Sequence, residues 1–203
     1  PDRWEEFEKN ASEAAFLEYI RYSAVDGKTL ESNTRILRLF EGNDYNYRRG
    51  MIGCALSHID MWIELATSDD LEVMVILEDD ITFTSDFEAK LGHAFNQLYD
   101  TEWDVYFLGH FLFPQYISDV YHNQTEMPVL ERWSRNKSLT MSMGGTIGYI
   151  ISKKGAAKML EFINKTGMTN GIDTMQQKAA DELNVIYSAP HLIFSEPYSL
   201  GSG

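Results

Sequence analysis

The sequence has one cysteine, few positive charges and no long hydrophobic run. A single thiol, that of Cys54, cannot form an intrachain disulfide, which favours a reducing compartment such as a bacterial or viral host cytoplasm. Seventeen Lys and Arg residues against 31 Asp and Glu residues give a formal net charge of −14. Without basic clusters, we predict no nucleic-acid-binding surface. No apolar run approaches a membrane span, so we also expect no transmembrane segment.

The chain also lacks the short signatures of several enzyme classes. It has no G-x-x-x-x-G-K-[ST] and no G-x-G-x-x-G at a strand-to-helix turn, which disfavours P-loop ATPases and dinucleotide-binding enzymes. It has no G-x-S-x-G elbow of the α/β-hydrolase type. Its five histidines show no H-E-x-x-H or Cys-His zinc spacing,. A phosphorylated small ligand is still allowed, because a divalent cation can supply the missing positive charge.

What the sequence does contain is the alternation of strands and helices that is typical of an α/β domain. With 203 residues, 44% of them hydrophobic, the chain fits one globular domain, residues 1–203. Apolar residues at helical spacing predict helices over 4–15, 52–66, 87–98 and 152–163, and one beginning at Gly171. Predicted strands are 16–25, 73–77, 105–108, 147–151 and 185–188, with a long loop over 110–138. This order predicts a mainly parallel sheet with helices on both faces.

In the segment Val73-Met-Val-Ile-Leu-Glu-Asp-Asp-Ile-Thr-Phe83, three carboxylates directly follow a continuous apolar strand, of the kind that is buried on both faces in a parallel sheet. In open α/β sheets, ligands bind beyond the carboxyl ends of the strands, and Glu78-Asp79-Asp80 follows directly after one. Alternation predicts that Glu78 and Asp80 share one face while Asp79 points elsewhere. Two hard oxygen donors suit Mg²⁺ or Mn²⁺. The alternative is a solvated acidic turn that caps a helix.

Five segments, in order along the chain, resemble glycosyltransferase family 25, which includes lipooligosaccharide glycosyltransferases and collagen β-galactosyltransferases. They are Tyr22-Ser-Ala-Val-Asp-Gly27, Gly53-Cys-Ala-Leu-Ser-His-Ile-Asp-Met-Trp62, Leu77-Glu-Asp-Asp80, Gly145-Thr-Ile-Gly-Tyr-Ile-Ile-Ser-Lys-Lys-Gly-Ala156 and Gly171-Ile-Asp173. The family opens with a strand before an Arg-rich turn, of which this chain has only Pro1-Asp-Arg-Trp4; if that strand is missing, part of the nucleotide pocket and a central strand are missing too. The family also commonly has an acid where Met51 stands.

This resemblance implies a GT-A-like, Rossmann-like fold and a UDP-sugar donor whose diphosphate is bridged by Mn²⁺ or Mg²⁺. The acidic triplet then corresponds to the Asp-x-Asp signature of such enzymes. By that analogy Asp80 is the direct metal ligand, Glu78 helps directly or through water, and Asp79 hydrogen-bonds the ribose. His191, after the last strand, is a further candidate metal ligand, because several metal-dependent transferases use a late histidine; an ordinary loop histidine is the alternative.

Four other side chains are candidates for donor or acceptor contacts. Asp26 either contacts the base or ribose or simply belongs to an Asp-Gly turn. His58 either lines the donor pocket or packs in the core, whereas Cys54 is expected to be a core residue. Asp173 is either the acceptor-side base of an inverting transfer or a charge that favours the helix dipole. His110 follows the Val105 strand and could contact either sugar, and loop aromatics (Phe111, Phe113, Tyr116, Tyr121, Trp133) suit stacking on sugars.

The predicted function is therefore a metal-dependent, inverting transfer of galactose or glucose from a UDP-sugar. The acceptor hydroxyl would belong to a glycan, a lipid-linked sugar or hydroxylysine in a collagen-like chain. Two alternatives share the carboxylates: a metal-dependent phosphoesterase, which would need more His and Asp ligands for a second metal, and a catalytically inactive UDP-sugar-binding domain.

Overall fold

A five-stranded sheet and a small two-stranded sheet, with helices packed around them, form the fold in a computed structural model that describes residues 3–14, 18–43, 47–111, 126–133 and 144–195. The helices are α1 (Arg3–Glu13), α2 (Thr34–Leu39), α3 (Arg49–Thr67), α4 (Phe87–Leu98), α5 (Lys153–Thr166) and α6 (Ile172–Ala179). The strands are β1 (Val73–Leu77), β2 (Ile81–Phe83), β3 (Val105–Phe111), β4 (Val129–Arg132), β5 (Gly144–Ser152), β6 (Val185–Ala189) and β7 (Ile193–Ser195). None of the described helices combines the length and apolar character needed to cross a membrane.

The α/β class predicted from the sequence is confirmed, and its central sheet is mixed. The strand order is β1-β5-β3-β6-β4. Strand β5 runs antiparallel to both of its neighbours, β4 runs antiparallel to β6, and β3 and β6 form the parallel pair among the described strands. An apolar strand pattern reports burial but not direction, so the sequence alone pointed to more parallel pairing than the sheet contains. The arrangement is consistent with a GT-A-like, Rossmann-type fold.

Strand β1 lies at the edge of the described sheet, which corrects the expectation that it is buried on both faces. Its pairing partner is β5, with Leu77 opposite Gly148. Val73 and Val75 are 46% and 43% exposed, whereas Ile76, on the other face, is 4% exposed. The continuous apolar run therefore reflects one buried face and one partly open face.

Three other predictions differ from the structure. Residues 18–25 are not a strand; Val25 N–H instead donates to Ser57 Oγ of α3 at 2.9 Å. Residues 16 and 17 lie outside the described residues. The predicted 110–138 loop begins later and contains β4, whereas Phe113, Tyr116 and Tyr121 lie outside the described part of the chain. Short strands such as β2 and β7 pair across more than 100 residues of sequence, so local patterns do not reveal them,.

Phe87 and Leu98 of helix α4 are buried, and so is a lysine between them. Lys90 and Ala94 are buried, and Phe95 is 40% exposed. The Lys90 ammonium donates to Thr84 Oγ1 at 3.0 Å and to the Ser85 carbonyl at 2.8 Å, which replaces the water it loses on burial,. Asp86 holds the N-cap position with a positive φ of 56° but makes no side-chain cap bond. The helix is thus anchored by its lysine instead of by a cap.

The core consists of two hydrophobic clusters, one on each face of the central sheet. The first joins α3, α5 and α6 to the sheet around Trp62, Tyr149 and Met159. The second joins α1, α4 and the β2–β7 sheet to the opposite face around Phe7, Tyr106 and Ile193. Because helices cover both faces, only the ends and edges of the sheet remain open to ligands.

We expect Asp104→Ala to lower the free energy of unfolding by about 2–4 kcal/mol, because the substitution leaves buried hydrogen-bonding groups without a partner. Asp104 is 1% exposed, and its Oδ2 accepts from Asn184 N–H at 2.8 Å and lies 2.5 Å from Lys158 Nζ. Urea unfolding measures the change. Glu102→Ala is the matched control, since its pair with Lys154 is exposed at 3.5 Å and should be worth less than about 0.5 kcal/mol,. Equal losses in the two variants would contradict this account.

Candidate active site

The carboxyl ends of β1 and β3 meet against the first half of β5. Leu77 and Gly109 both lie opposite Gly148, and Glu78 N–H donates to the Ile147 carbonyl at 2.9 Å. A side chain at Gly148 would overlap Ile193 and Leu77. Close strand approach at this glycine therefore brings the acidic segment to the edge of the sheet where β3 also ends.

The three acids of that segment point in two directions. Arg3 Nη2 lies 2.6 Å from Asp79 Oδ1 and 2.8 Å from Asp80 Oδ2, and all three side chains are about half exposed. Glu78 turns inward, where Thr146 Oγ1 donates to its Oε1 at 3.0 Å. The pKa of Glu78 is raised, first by burial and further by Asp80 and Asp79, while the Thr146 hydrogen bond and Arg3 act in the opposite direction,.

Strand alternation had predicted that Glu78 and Asp80 would share a face, with Asp79 apart. In the structure, one guanidinium nitrogen reaches Asp79 and Asp80 together. Residues 79 and 80 form a turn between β1 and β2, and the alternation of side chains holds only within an extended strand. The two aspartates are therefore the carboxylates that converge on one cation.

His58 lies in the core and reaches the acidic segment through Thr146. Its Nδ1 is 2.8 Å from the Tyr149 hydroxyl, which also accepts from Trp62 Nε1–H at 2.9 Å. Its Nε2 is 3.4 Å from Thr146 Oγ1. Burial lowers the pKa of His58 to about 4, so the imidazole is neutral near neutral pH,. The packing role is thus observed, and contact with the donor remains a prediction.

Cys54 is exposed, so the expectation that it is a core residue is wrong. One turn of α3 separates it from His58. Its sulfur, a ring nitrogen of His58 and a carboxylate oxygen of Glu78 all lie within 4.8 Å of one another. The pKa of the thiol is raised to about 11, first by partial burial and then by Glu78 and Asp173. The cysteine therefore borders the site and is protonated near neutral pH.

Asp173 joins the start of α6 to the start of β5. Its Oδ1 accepts from Thr174 N–H at 2.7 Å and its Oδ2 accepts from Gly145 N–H at 3.0 Å. Gly145 directly precedes Thr146, so Asp173 and Glu78 border the same stretch of β5. Met51, where the family commonly has an acid, lies nearby: a side chain at Gly171 would meet both Met51 and Asp173. The Asp173 carboxylate thus holds the start of α6 to β5, and it lies at the end of the sheet where the sequence predicts the site.

Asp26 has the geometry of a turn residue. It is exposed, its Oδ1 accepts from Lys28 N–H at 2.9 Å, and its carbonyl accepts from Thr29 N–H at 3.1 Å. The adjoining Gly27 packs against the start of α3, where an added side chain would collide with the Arg49 carbonyl. A ribose or base contact by Asp26 remains a prediction.

His110 and His191 form a buried pair. Their Nε2 atoms are 3.2 Å apart, and His110 also packs edge-on against Trp133 and Tyr187. Burial lowers the pKa of His191 to about 3 and that of His110 well below its usual value. Among the described residues, no group of three metal-ligating side chains combines His191 with Glu78 or Asp80.

Of the aromatic residues predicted to stack on sugars, Phe111 lies beside Gly145, and Trp133 is a core residue.

These neutral, buried histidines predict a loss of stability in mild acid. In the unfolded chain a histidine takes up a proton near its ordinary pKa of 6.5, whereas in the fold burial lowers the pKa of His58 to about 4. The unfolded state therefore binds more protons as the pH falls below about 6.5, and each such histidine lowers the free energy of unfolding by up to about 2–3 kcal/mol near pH 4. Urea unfolding at several pH values measures the slope. A His58→Gln variant should decline less steeply, and an unchanged slope would contradict the prediction.

A cavity of about 480 Å³ lies elsewhere, lined by residues of α1 and of 82–89. None of the predicted site residues lines it. Its lining contains Glu13, Asp86 and Glu88 but no basic side chain, which does not suit a diphosphate.

Sequence reasoning missed three residues that contact the predicted ones. The sequence analysis includes Arg3 only as the remnant of a turn, Tyr149 only as part of a strand, and Thr146 only within the family-like segment 145–156. All three stand in segments that resemble the family, but their contacts with Asp80, Glu78 and His58 join positions at least 68 residues apart. A pattern within one segment carries no signal for such contacts.

This chain is similar in sequence to known glycosyltransferases. The sequence profile of glycosyltransferase family 25 (LPS biosynthesis protein) matches residues 1–175. A glycosyltransferase 25 family member from Drosophila pseudoobscura pseudoobscura is 31% identical over 173 residues, which are 79% of this chain and 25% of that protein. Procollagen galactosyltransferase 1-A from Xenopus laevis is 32% identical over 154 residues, 71% of this chain and 24% of that protein.

A relative from Bos taurus is named probable inactive glycosyltransferase 25 family member 3. It is 31% identical over 147 residues, which are 68% of this chain and 23% of that protein. The chain thus spans about a quarter of the length of these three relatives.

Proposed function

The chain belongs to glycosyltransferase family 25, and from that premise we propose that it is a metal-dependent, inverting glycosyltransferase. It moves galactose or glucose from a UDP-sugar to a hydroxyl group of a glycan, a lipid-linked sugar or a collagen-like hydroxylysine. Galactose is favoured because the Xenopus laevis relative is named a procollagen galactosyltransferase. Since the matched residues make up only 24% of that relative, the proposal concerns what this domain contributes.

The observation that carries the proposal is the pair of aspartates after β1. Asp79 and Asp80 direct one oxygen each at the same cationic group, Arg3, at 2.6 and 2.8 Å. Two half-exposed carboxylates that converge on one positive charge offer the hard oxygen donors that Mn²⁺ and Mg²⁺ prefer, with room left for phosphate oxygens. The residues present therefore fit the cation that the family implies.

Asp80 is proposed to hold that cation, with Glu78 assisting directly or through water and Asp79 offering a second carboxylate oxygen beside Asp80. Bound there, Mn²⁺ would supply electrostatic stabilisation of the UDP leaving group. Thr146 fixes one oxygen of Glu78 by its hydrogen bond. Asp79 is proposed to hydrogen-bond the ribose, with Asp26, His58 and His110 as further donor or acceptor contacts. His191 is a further candidate metal ligand, on the condition that its ring first moves away from His110.

Asp173 is proposed to be the acceptor-side base. Its two backbone hydrogen bonds orient the carboxylate beside the start of β5, near the acidic segment. Each carboxylate oxygen keeps a further lone pair that could accept the proton of the acceptor hydroxyl. An inverting transfer needs one carboxylate at that place, opposite the leaving group.

A catalytically inactive, UDP-sugar-binding domain is the second candidate. Arg3 already pairs with both aspartates, and the Bos taurus relative is named as probably inactive. A phosphoesterase is less well supported, because the group of three metal-ligating side chains among the described residues, Cys54, His58 and Glu78, includes neither Asp79 nor Asp80.

Hydrolysis of a panel of UDP-sugars, measured with Mn²⁺ and with EDTA, separates these functions. A transferase should hydrolyse one or two UDP-hexoses slowly and only with Mn²⁺. An inactive domain should show Mn²⁺-dependent thermal stabilisation by UDP but no hydrolysis. A phosphoesterase should cleave simple phosphate esters. Failure of UDP to raise the melting temperature with Mn²⁺ present would contradict both UDP-binding proposals.

A further inference from the structure

We propose that Cys54, His58 and Glu78 form a binding site for a thiophilic divalent cation such as Zn²⁺, distinct from the Asp79–Asp80 pair. One ligand atom from each of the three side chains lies within 4.8 Å of the other two. Two ligands stand one turn apart on α3, and the third follows β1. This site does not depend on transferase activity.

The three donor atoms suit zinc better than manganese or magnesium. Sulfur, imidazole nitrogen and one carboxylate oxygen form a mixed set of the kind that binds Zn²⁺ in three-ligand sites with an open fourth position. Manganese and magnesium prefer oxygen donors. With metal–ligand bonds of about 2.0–2.3 Å, tetrahedral ligands lie roughly 3.3–3.6 Å apart. Closing the site therefore requires side-chain movements of only about 1 Å.

Contacts behind the ligands already orient two of them. His58 Nδ1 is held at 2.8 Å by the Tyr149 hydroxyl, so Nε2 is the nitrogen on the side of Thr146 and Glu78. The Tyr149 oxygen can accept from both Trp62 Nε1–H and His58 Nδ1–H, which leaves a lone pair on Nε2,. Thr146 holds Glu78 Oε1 at 3.0 Å, and Oε2 stays available. Such outer hydrogen bonds are typical of built metal sites.

A cation would enter the site from solvent beside Cys54, because Cys54 is exposed whereas His58 is only 4% exposed. When the sulfur–metal bond forms, the S–H bond breaks and its proton passes to solvent. Each bound cation should therefore release about one proton at neutral pH, since the thiol is otherwise protonated. The positive charge of the cation also offsets the negative charges of Glu78 and Asp173, which otherwise raise the pKa of the thiol.

Titration with Co²⁺, a spectroscopic substitute for Zn²⁺, tests the site. Cys54 is the sole cysteine of the 203 residues, so any sulfur-to-cobalt charge-transfer band must involve this residue. We expect a near-ultraviolet band that saturates at one Co²⁺ per chain, disappears on addition of Zn²⁺ and is absent from Cys54→Ser. Because Cys54 is exposed, this variant should keep its melting temperature.

Further variants assign the other ligands. Glu78→Gln should weaken Co²⁺ binding, and Thr146→Val, which removes the hydrogen bond to Glu78, should weaken it about 10- to 100-fold. Asp80→Asn should leave the band and its midpoint unchanged. The proposal is overturned if the wild-type protein gives no band, if Asp80→Asn abolishes it, or if it saturates at half a Co²⁺ per chain.

Alkylation of the thiol gives an independent measurement. Zn²⁺ should slow the reaction of Cys54 with iodoacetamide at least about tenfold, because the bound cation withdraws electron density from the sulfur and blocks the approach of the reagent. EDTA should restore the rate, and Mg²⁺ should not change it. An alkylation rate insensitive to saturating Zn²⁺ would contradict the site. Loss of UDP-sugar hydrolysis would leave these readouts unaffected, so this proposal and the proposed function can fail separately.

On the proposed function, the cation at Asp80 and a zinc ion at Cys54 and His58 compete for Glu78. The same carboxylate is proposed to assist the cation at Asp80. A zinc ion at Cys54 and His58 would withdraw it, so Zn²⁺ should inhibit Mn²⁺-dependent UDP-sugar hydrolysis in the wild-type protein and less in Cys54→Ser.

Discussion

Asp80→Asn should lower the rate of Mn²⁺-dependent UDP-hexose hydrolysis by at least about 100-fold and abolish the Mn²⁺-dependent thermal stabilisation by UDP. Asparagine keeps the size of the side chain but removes one of the two charges that converge on Arg3. A hard divalent cation needs the negative charge of Asp80 in order to stay bound beside the diphosphate. Hydrolysis rates and melting curves, each measured against Mn²⁺ concentration, provide the two readouts.

Two further variants make this result specific. Asp79→Asn, adjacent in sequence and also paired with Arg3, should mainly raise the KM for the donor if it contacts the ribose. Asp100→Asn, at an exposed position after α4, should have no effect. If Asp80→Asn keeps its activity within about threefold of the wild type, Asp80 is not the metal ligand, because a lost ligand costs far more than that.

Asp173→Asn should lower kcat for transfer by about 10²- to 10⁴-fold while changing the donor KM little. The amide oxygen can still accept from Thr174 N–H, as Oδ1 does now at 2.7 Å. The amide group cannot remove a proton from the acceptor hydroxyl. Steady-state transfer kinetics with a fixed acceptor, and UDP binding measured in parallel, separate the loss of the base from the loss of binding.

Because Asp173 also holds α6 against β5, a structural explanation must be tested too. The amide NH₂ would face Gly145 N–H, which now donates to Oδ2 at 3.0 Å, so some loss of stability, about 1–3 kcal/mol, is expected. A base is identified by the pH profile: residual activity in the variant should lack the decline of kcat on the acid side. Asp181→Asn, an exposed acid beyond α6, should behave as the wild type. An unaltered acid-side decline in Asp173→Asn would assign the residue a structural role only.

Much of the fold was predictable because its longer elements carry clear local patterns. The apolar stripe of α3 and the buried run of β1 were both found close to their observed bounds. Ser152 caps α5 by accepting from Gly155 N–H at 3.0 Å, at the predicted start of that helix. The differences at other ends, such as Gly144 instead of Ile147 for the start of β5, and the missed short strands reflect pairing between distant segments, which local patterns do not encode.

The candidate site was predictable in location but not in arrangement. Glu78, Asp79 and Asp80 were placed at a strand end by sequence alone. Which of them converge depended on the turn over residues 79–80, where strand alternation stops. The placing of Cys54 in the core was wrong because one helical residue can lie at the border of a buried stripe, and only the neighbouring elements decide whether it is covered,.

By itself, then, the sequence determined the α/β class, the family and the position of three acids directly after an apolar strand. These depend on residue type and spacing, which are local properties. The tertiary structure alone decided that β5 runs antiparallel beside β1, which brings Thr146 to Glu78 and Tyr149 to His58. It also decided that Asp79 and Asp80 meet one cation while Glu78 turns toward Cys54. Strand pairing and helix packing join residues far apart in the chain, and no local pattern specifies such contacts.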